Sequence, residues 1–184
     1  MNSGHLADQA ADRLEAASIA RLYLSGSVRR YHANVAIAPF GQTNADHQCR
    51  ATQLLLALNP EASPALVYAT LHHDVGEVAA GDLPQPFKAA SPELARAHAA
   101  IEGAMARDIL GRTMPYLTKF EREWLKLVDR LEAICFVLFS APHEHNRPRS
   151  GWAGDVEHVL AAADALGCRG KVWDLLADLR EGRW

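Results

Sequence analysis

What most constrains this chain is a missing pattern. Nowhere do apolar and polar residues alternate over the roughly four to eight positions of a half-buried strand. Nearly every patterned segment instead repeats its apolar residues at three- and four-residue spacing, which is the helical period. The most apolar of them, "EREWLKLVDRLEAICFVLF", lies in a stretch that reads as one long helix over 118–140. Two Ser-Pro pairs punctuate the chain, Ser63-Pro64 and Ser91-Pro92, each a serine N-cap followed by proline at the first helical position. The spacing predicts helices over 6–24, 45–58, from 64 through "ALVYATLHHDVGEV", from 92 to 110, over 118–140, 152–166 and 171–180. The expected fold is therefore all-α, a single-domain bundle of about six or seven helices. Between the first two helices, "SGSVRRYHANVAIAPFGQTN" is expected to be an ordered connection, and loops of that length in compact domains often carry function.

A chain of 184 residues suits one domain with a real core. Its net charge of −3 and lack of a long basic tract give no footprint for a nucleic-acid polymer, although a small anion needs only local positive charge. No apolar run reaches the roughly 20 residues of a membrane-spanning helix. Cys49, Cys135 and Cys168 are widely spaced, odd in number and form no CxxC pair, so they are expected to be thiols in a reducing cytoplasm.

The chemistry concentrates in "ATLHHDVGEVAAGDLPQPFK", residues 69–88, where an apolar helical run ends in two histidines, an aspartate and a glutamate. Charged groups are rarely buried without a partner. On a helix His73, Asp74 and Glu77 would occupy neighbouring faces, since Glu77 follows His73 by four residues and Asp74 by three. Imidazole and carboxylate together suit divalent metals. Further ligands must come from elsewhere, and His47 and Asp129 are the candidates; Asp129 sits in the most apolar helix, where a carboxylate needs a cation. Taken alone, His47 reads first as a core histidine, and Asp129 beside Arg130 as an interhelical ion pair. The conjunction of His47, His73, Asp74 and Asp129 is what points to a metal. His72 reads as a bystander.

The H…HD…D pattern resembles the HD-domain metal-dependent phosphohydrolases. The run "HDVGEVAAGDLPQPFK" is similar to the HDxxE and GDxPxPxK arrangement of the subgroup holding bacterial 5′-deoxynucleotidases and small phage and bacterial deoxynucleotide phosphohydrolases. Upstream, "RRYHANVAIAPFGQTNADH" resembles their Arg-aromatic segment and QTxAxH-type helix start, so the resemblance spans about 26–140. It implies one divalent cation (Mn, Co, Mg, Zn or Fe) held by His47, His73, Asp74 and Asp129. It implies Glu77 as the group that positions or deprotonates water, Asp82 as a second such candidate, and Arg30 and Lys88 as phosphate contacts. Tyr31 stands where the relatives often carry Trp near the sugar, and His32 beside it is a further substrate candidate. Arg29 replaces Arg30 if the register shifts by one. Pro84 and Pro86 would stiffen the loop presenting Asp82 and Lys88.

The implied activity is 5′-deoxynucleotidase-like hydrolysis of a deoxynucleoside monophosphate. The alternatives are a dNTP triphosphohydrolase or a nucleotide sensor without turnover. The expected partners are the deoxynucleoside phosphate and a second copy of the chain, in a dimer or larger homo-oligomer, with no nucleic-acid polymer and no membrane. No P-loop, GxGxxG turn or GxSxG elbow is present. The segment "APHEHNRPRSGW", with His143 and His145, is expected to be a solvated surface turn. Val156, Val159, Leu160 and Ala163 repeat at core-like spacing in the 152–166 helix. Trp173, Leu176 and Leu179 recur at helical spacing and suit either the core or self-association.

Overall fold

The computed structural model describes residues 18–84, 88, 90–147 and 152–183. They are all-α, with no strand among them. Residues 18–25 are helical, and the rest of the helix expected over 6–24 lies outside the described residues. The named helices are α1 (Asn44–Leu58), α2 (Pro64–His72), α3 (Glu77–Ala80), α4 (Pro92–Leu110), α5 (Lys119–Ser140), α6 (Pro142–His145), α7 (Trp152–Ala165) and α8 (Arg169–Glu181), with a short 3-10 turn at Ala38–Phe40. None is long and apolar enough to cross a membrane.

The chain groups into two compact units. The larger holds Arg30–Gln42, Asp46–His73 and Pro115–Trp184. Its centre is α5, which starts at a capping box: the Thr118 hydroxyl accepts from the Glu121 amide, and the Glu121 carboxylate accepts from the Thr118 amide. Ser63 ties a second helix start to this one. Its hydroxyl accepts from Leu66 N at 3.1 Å to cap α2, and donates to Glu121 Oε1 at 2.5 Å. Trp124, Leu127, Val128, Leu131, Ile134, Val137 and Leu138 of α5 are buried, and α2, α6, α7 and α8 pack on that helix. Val156, Val159, Leu160 and Ala163 of α7 and Val172 and Leu176 of α8 complete the core. Each such aliphatic side chain stabilises the fold by about 1.5–3 kcal/mol relative to exposure. Trp173 stays 52% exposed, so of the apolar repeat on α8 it is Leu176, not Trp173, that the core takes.

The smaller unit holds residues up to Arg29, Thr43–Ala45 and Asp74–Met114. There α3 packs on α4, and the Ser18 hydroxyl donates to Ile109 O at 2.5 Å.

Three expectations need correction. The helix expected to run from Pro64 through Val78 stops at His72; residues 73–76 form a turn, and α3 begins at Glu77. Glu77 N bonds Asp74 O at 3.0 Å, a three-residue closure in place of the helical four. The cause lies in packing. A Cβ on Gly76 would sit 2.1 Å from the Glu102 carbonyl oxygen, so only glycine lets this turn lie against α4. Ser91 precedes α4 but makes no side-chain capping bond. The segment expected to be a solvated turn forms the one-turn helix α6, with His143 exposed and His145 buried, while residues 148–151 of it lie outside the described residues.

The connection ahead of α1 is ordered, as expected. Asn34 Oδ1 accepts from the amides of Ala36 and Ile37, and Arg30 N bonds Gln42 O at 3.0 Å.

Candidate metal centre and carboxylate cluster

In the larger unit three side chains converge: His47 from the first turn of α1, His73 from the residue that closes α2, and Asp129 from the middle of α5. His47 Nε2 lies 3.2 Å from His73 Nε2 and 3.0 Å from Asp129 Oδ1, and His73 Nε2 lies 3.6 Å from the same oxygen. His47 is fully buried, while His73 and Asp129 are partly exposed, which leaves one side of the group open.

The partners of the opposite ring nitrogens decide what this convergence can hold. His73 Nδ1 faces the Thr70 carbonyl oxygen at 2.8 Å, and a carbonyl only accepts, so Nδ1 carries the hydrogen. His47 Nδ1 faces Glu132 Oε2, and Glu132 also accepts the Gln42 amide at Oε1, 2.7 Å away. Oε1 is therefore an acceptor, and a hydrogen on His47 Nδ1 completes the pairing at Oε2. With both rings neutral, the two Nε2 atoms present lone pairs to each other and to Asp129 Oδ1; with a ring protonated, its Nε2–H donates to that oxygen. Such a group needs a shared cation. Separations of roughly 3–3.5 Å are those that ligand atoms keep around one transition-metal ion at about 2.1 Å.

The electrostatics agree. Burial opposes charge on His47, yet its hydrogen bonds to Asp129 and then Glu132 raise its pKa above the ordinary histidine value, while the charge of Arg30 pulls it down. Desolvation pushes the Asp129 carboxyl up, and the hydrogen bonds and charges of His47 and His73 outweigh it, holding Asp129 well below the carboxylate range. Both shifts favour positive charge within this group. The ion-pair alternative for Asp129 finds no support in Arg130, whose guanidinium faces Asp155 of α7 at 3.6 Å.

Arg30 and Tyr31 belong to the same unit. Arg30 is half-buried, with its guanidinium carbon 5.6 Å from the Tyr31 ring centroid, and its charge is felt at His47. Tyr31 holds a left-handed backbone, φ 56°, which costs a non-glycine residue about 1–3 kcal/mol. Its ring stacks on Phe136 at 5.8 Å and meets Trp152 at 6.4 Å. Burial pushes its hydroxyl pKa up to about 12. The aromatic expected near a sugar is thus anchored in the apolar cluster of Ile37, Phe136 and Val137. His32 is exposed in the same turn. His72 turns away, its Nδ1 on Tyr68 O at 2.8 Å and its ring stacked on Tyr68, which fits a bystander.

In the smaller unit a second group forms. Oxygens of Asp74, Glu77 and Glu102 lie within 4.8 Å of one another. Glu77 is buried at the start of α3, and the buried Asn44 amide donates to Glu77 Oε2 at 2.8 Å and to Asp74 O at 3.3 Å. His98 anchors the following turn through Gly81 O at 2.9 Å and faces Glu102 at 3.6 Å. Asp82 and Lys88 are half-buried in this unit, with Lys88 N on Pro84 O at 3.1 Å. Arg29, the alternative to Arg30, is exposed here.

Of the four expected ligands the structure gathers His47, His73 and Asp129, and groups Asp74 with Glu77. Glu132, Gln42, Asn44 and Glu102 were not anticipated. The rule that singled out Asp129, a carboxylate on an apolar helix, applies equally to Glu132 one turn later. Asn44 and Glu102 carry no comparable local signal. Cys49, Cys135 and Cys168 are free thiols; burial, then the Glu132 charge, lifts the Cys135 pKa to about 12, far from a nucleophile.

The model of one protein family, described as YfbR-like, 5′-deoxynucleotidase YfbR-like, matches residues 57–135. That segment holds His73, Asp74, Glu77, Asp82, Lys88 and Asp129; Arg30, Tyr31, His32 and His47 precede it. No curated protein and no solved structure matches the chain.

Proposed function

Since residues 57–135 match the YfbR-like 5′-deoxynucleotidase family of the HD-domain superfamily, we propose that the chain is a metal-dependent hydrolase that releases phosphate from deoxynucleoside monophosphates. The observation that carries the metal is the convergence of three cation-seeking donors on His47, His73 and Asp129. Asp74, next in the chain after His73, is the fourth ligand by the HD sequence pattern. A divalent cation held there supplies charge against a phosphoryl oxygen and lowers the pKa of water.

The chain's own groups do the rest. Glu77, oriented by the Asn44 amide, takes the proton of the attacking water. Asp82 assists with water or the leaving group. Arg30 offers a planar fork to phosphate oxygens, and Lys88 adds a point charge. Tyr31 and His32 line the sugar. The rigid stacking of Tyr31 supports a wall of fixed shape, the kind that discriminates a deoxyribose from a ribose. Self-association into a dimer belongs to the same proposal.

The test is product analysis on purified protein loaded with Mn²⁺, Co²⁺ or Mg²⁺, offered deoxy- and ribonucleoside mono- and triphosphates. The expected products from a dNMP are the nucleoside and free phosphate. Tripolyphosphate from a dNTP would favour a triphosphohydrolase. Tight nucleotide binding with no turnover would favour a sensor.

A further inference from the structure

We propose that Glu132 is a positioning residue: with Gln42 behind it, it fixes the ring tautomer and direction of His47, so that the Nε2 lone pair faces the cation site. The inference rests on the metal reading above and goes beyond it to a group that coordinates nothing itself.

Glu132 is 1% exposed, in a stretch of α5 otherwise filled by Val128, Leu131, Ile134 and Phe136. An apolar side chain of equal volume would pack there without the desolvation cost of a carboxylate. What the carboxylate does must therefore be read from its partners, of which the described residues show two. Oε1 accepts the Gln42 amide at 2.7 Å, and Oε2 accepts His47 Nδ1. Both partners are themselves buried, Gln42 at 2% and His47 at 0% exposure.

Two acceptor oxygens thus meet two donors, and the match has consequences at the far side of the ring. With its hydrogen held on Nδ1, His47 keeps Nε2 as a lone pair. The bond also fixes ring rotation, so Nε2 stays against His73 Nε2 and Asp129 Oδ1. A negative charge behind an imidazole makes it a stronger ligand, and outer-shell carboxylates of this kind typically contribute about 10–100-fold in metal affinity. His73 shows the contrast, since its Nδ1 is held by an uncharged carbonyl. Gln42 closes the relay by fixing the carboxylate that fixes the ring.

The experiment is calorimetric titration of Co²⁺ into the full chain freed of metal by chelation, with the visible spectrum of the Co²⁺ form as a second readout. Glu132→Gln keeps the shape but offers one acceptor oxygen to two donors, so one donor faces an NH₂ group. We expect its Co²⁺ affinity to fall about 10–100-fold and its Co²⁺ spectrum to change. Gln42→Leu, which leaves the charge in place, should weaken binding less. Thermal unfolding of the metal-free variants reports the fold, and if Glu132→Gln does not fold, Glu132→Asp carries the test by drawing the charge back one methylene. A folded variant at position 132 that binds Co²⁺ within about twofold of wild type, with an unchanged spectrum, overturns the proposal, because a merely structural carboxylate would behave that way. If the wild-type chain itself fails to bind Co²⁺, the metal reading falls, and the inference falls with it.

Discussion

The two clusters of ionisable groups, each within its own unit, are built on different logic. His47, His73 and Asp129 come from α1, the end of α2 and the middle of α5 around an apolar core, and the Nδ1 atoms of the two histidines face a carboxylate and a carbonyl. Asp74, Glu77 and Glu102 are carboxylates only, brought together where a turn and the four-residue α3 lie against α4, with Asn44 bonded to Glu77 and Gly76 allowing the close approach. The first cluster combines imidazole with carboxylate and has its tautomers fixed, which suits a resident transition metal. The second holds a buried carboxylate oriented by a neutral amide, which suits proton transfer. Helices hold the proposed ligands, and a turn shaped by close backbone packing holds the proposed base.

Four predictions test that contrast, the largest effect first. Asp129→Ala should abolish metal binding and lower turnover to below about a hundredth, because it removes a ligand and leaves two imidazole lone pairs facing each other. Calorimetry and product release measure both; retained stoichiometric metal would break the assignment. Glu77→Gln should keep metal binding but lower the rate by about 10²–10⁴-fold. Full turnover in that variant would dissolve the distinction between the clusters. Gly76→Ala forces a methyl group onto the Glu102 carbonyl and should destabilise the fold by about 1–3 kcal/mol, read from denaturant unfolding. An unchanged midpoint would mean that the turn is not held by that contact. The smallest effect concerns Glu121. Its pKa is lowered by the Ser63 hydroxyl first and then by Thr118. Its contribution to stability is therefore present above the unfolded-state value and is lost as pH falls through the depressed folded value. Glu121→Gln should flatten that acidic part of the stability profile and leave Co²⁺ affinity alone.

Much of the fold is written in local spacing. The bounds of α5, α7 and α8 follow closely from apolar periodicity, and the start of α2 from Ser63-Pro64, because helix formation depends on residues three and four apart. The match over residues 57–135 shows that the HD resemblance, too, is carried by sequence. The break after His72 was not legible. Its cause is the Glu102 carbonyl against Gly76, a contact between residues 26 positions apart, from 76 to 102. Periodicity cannot register such a contact.

By itself, then, the sequence determined most of the helical segments and the His47, His73, Asp74, Glu77 and Asp129 side chains that bring imidazole and carboxylate to them, since both follow from residue type and short-range spacing. Only the tertiary structure decided that His47 leans on Glu132 and Gln42, that Glu102 joins Glu77, and that Tyr31 is bedded against Phe136 and Trp152. These are contacts between helices. They depend on how apolar faces interlock and on how each buried polar group finds a partner, and both are settled only when the chain closes on itself.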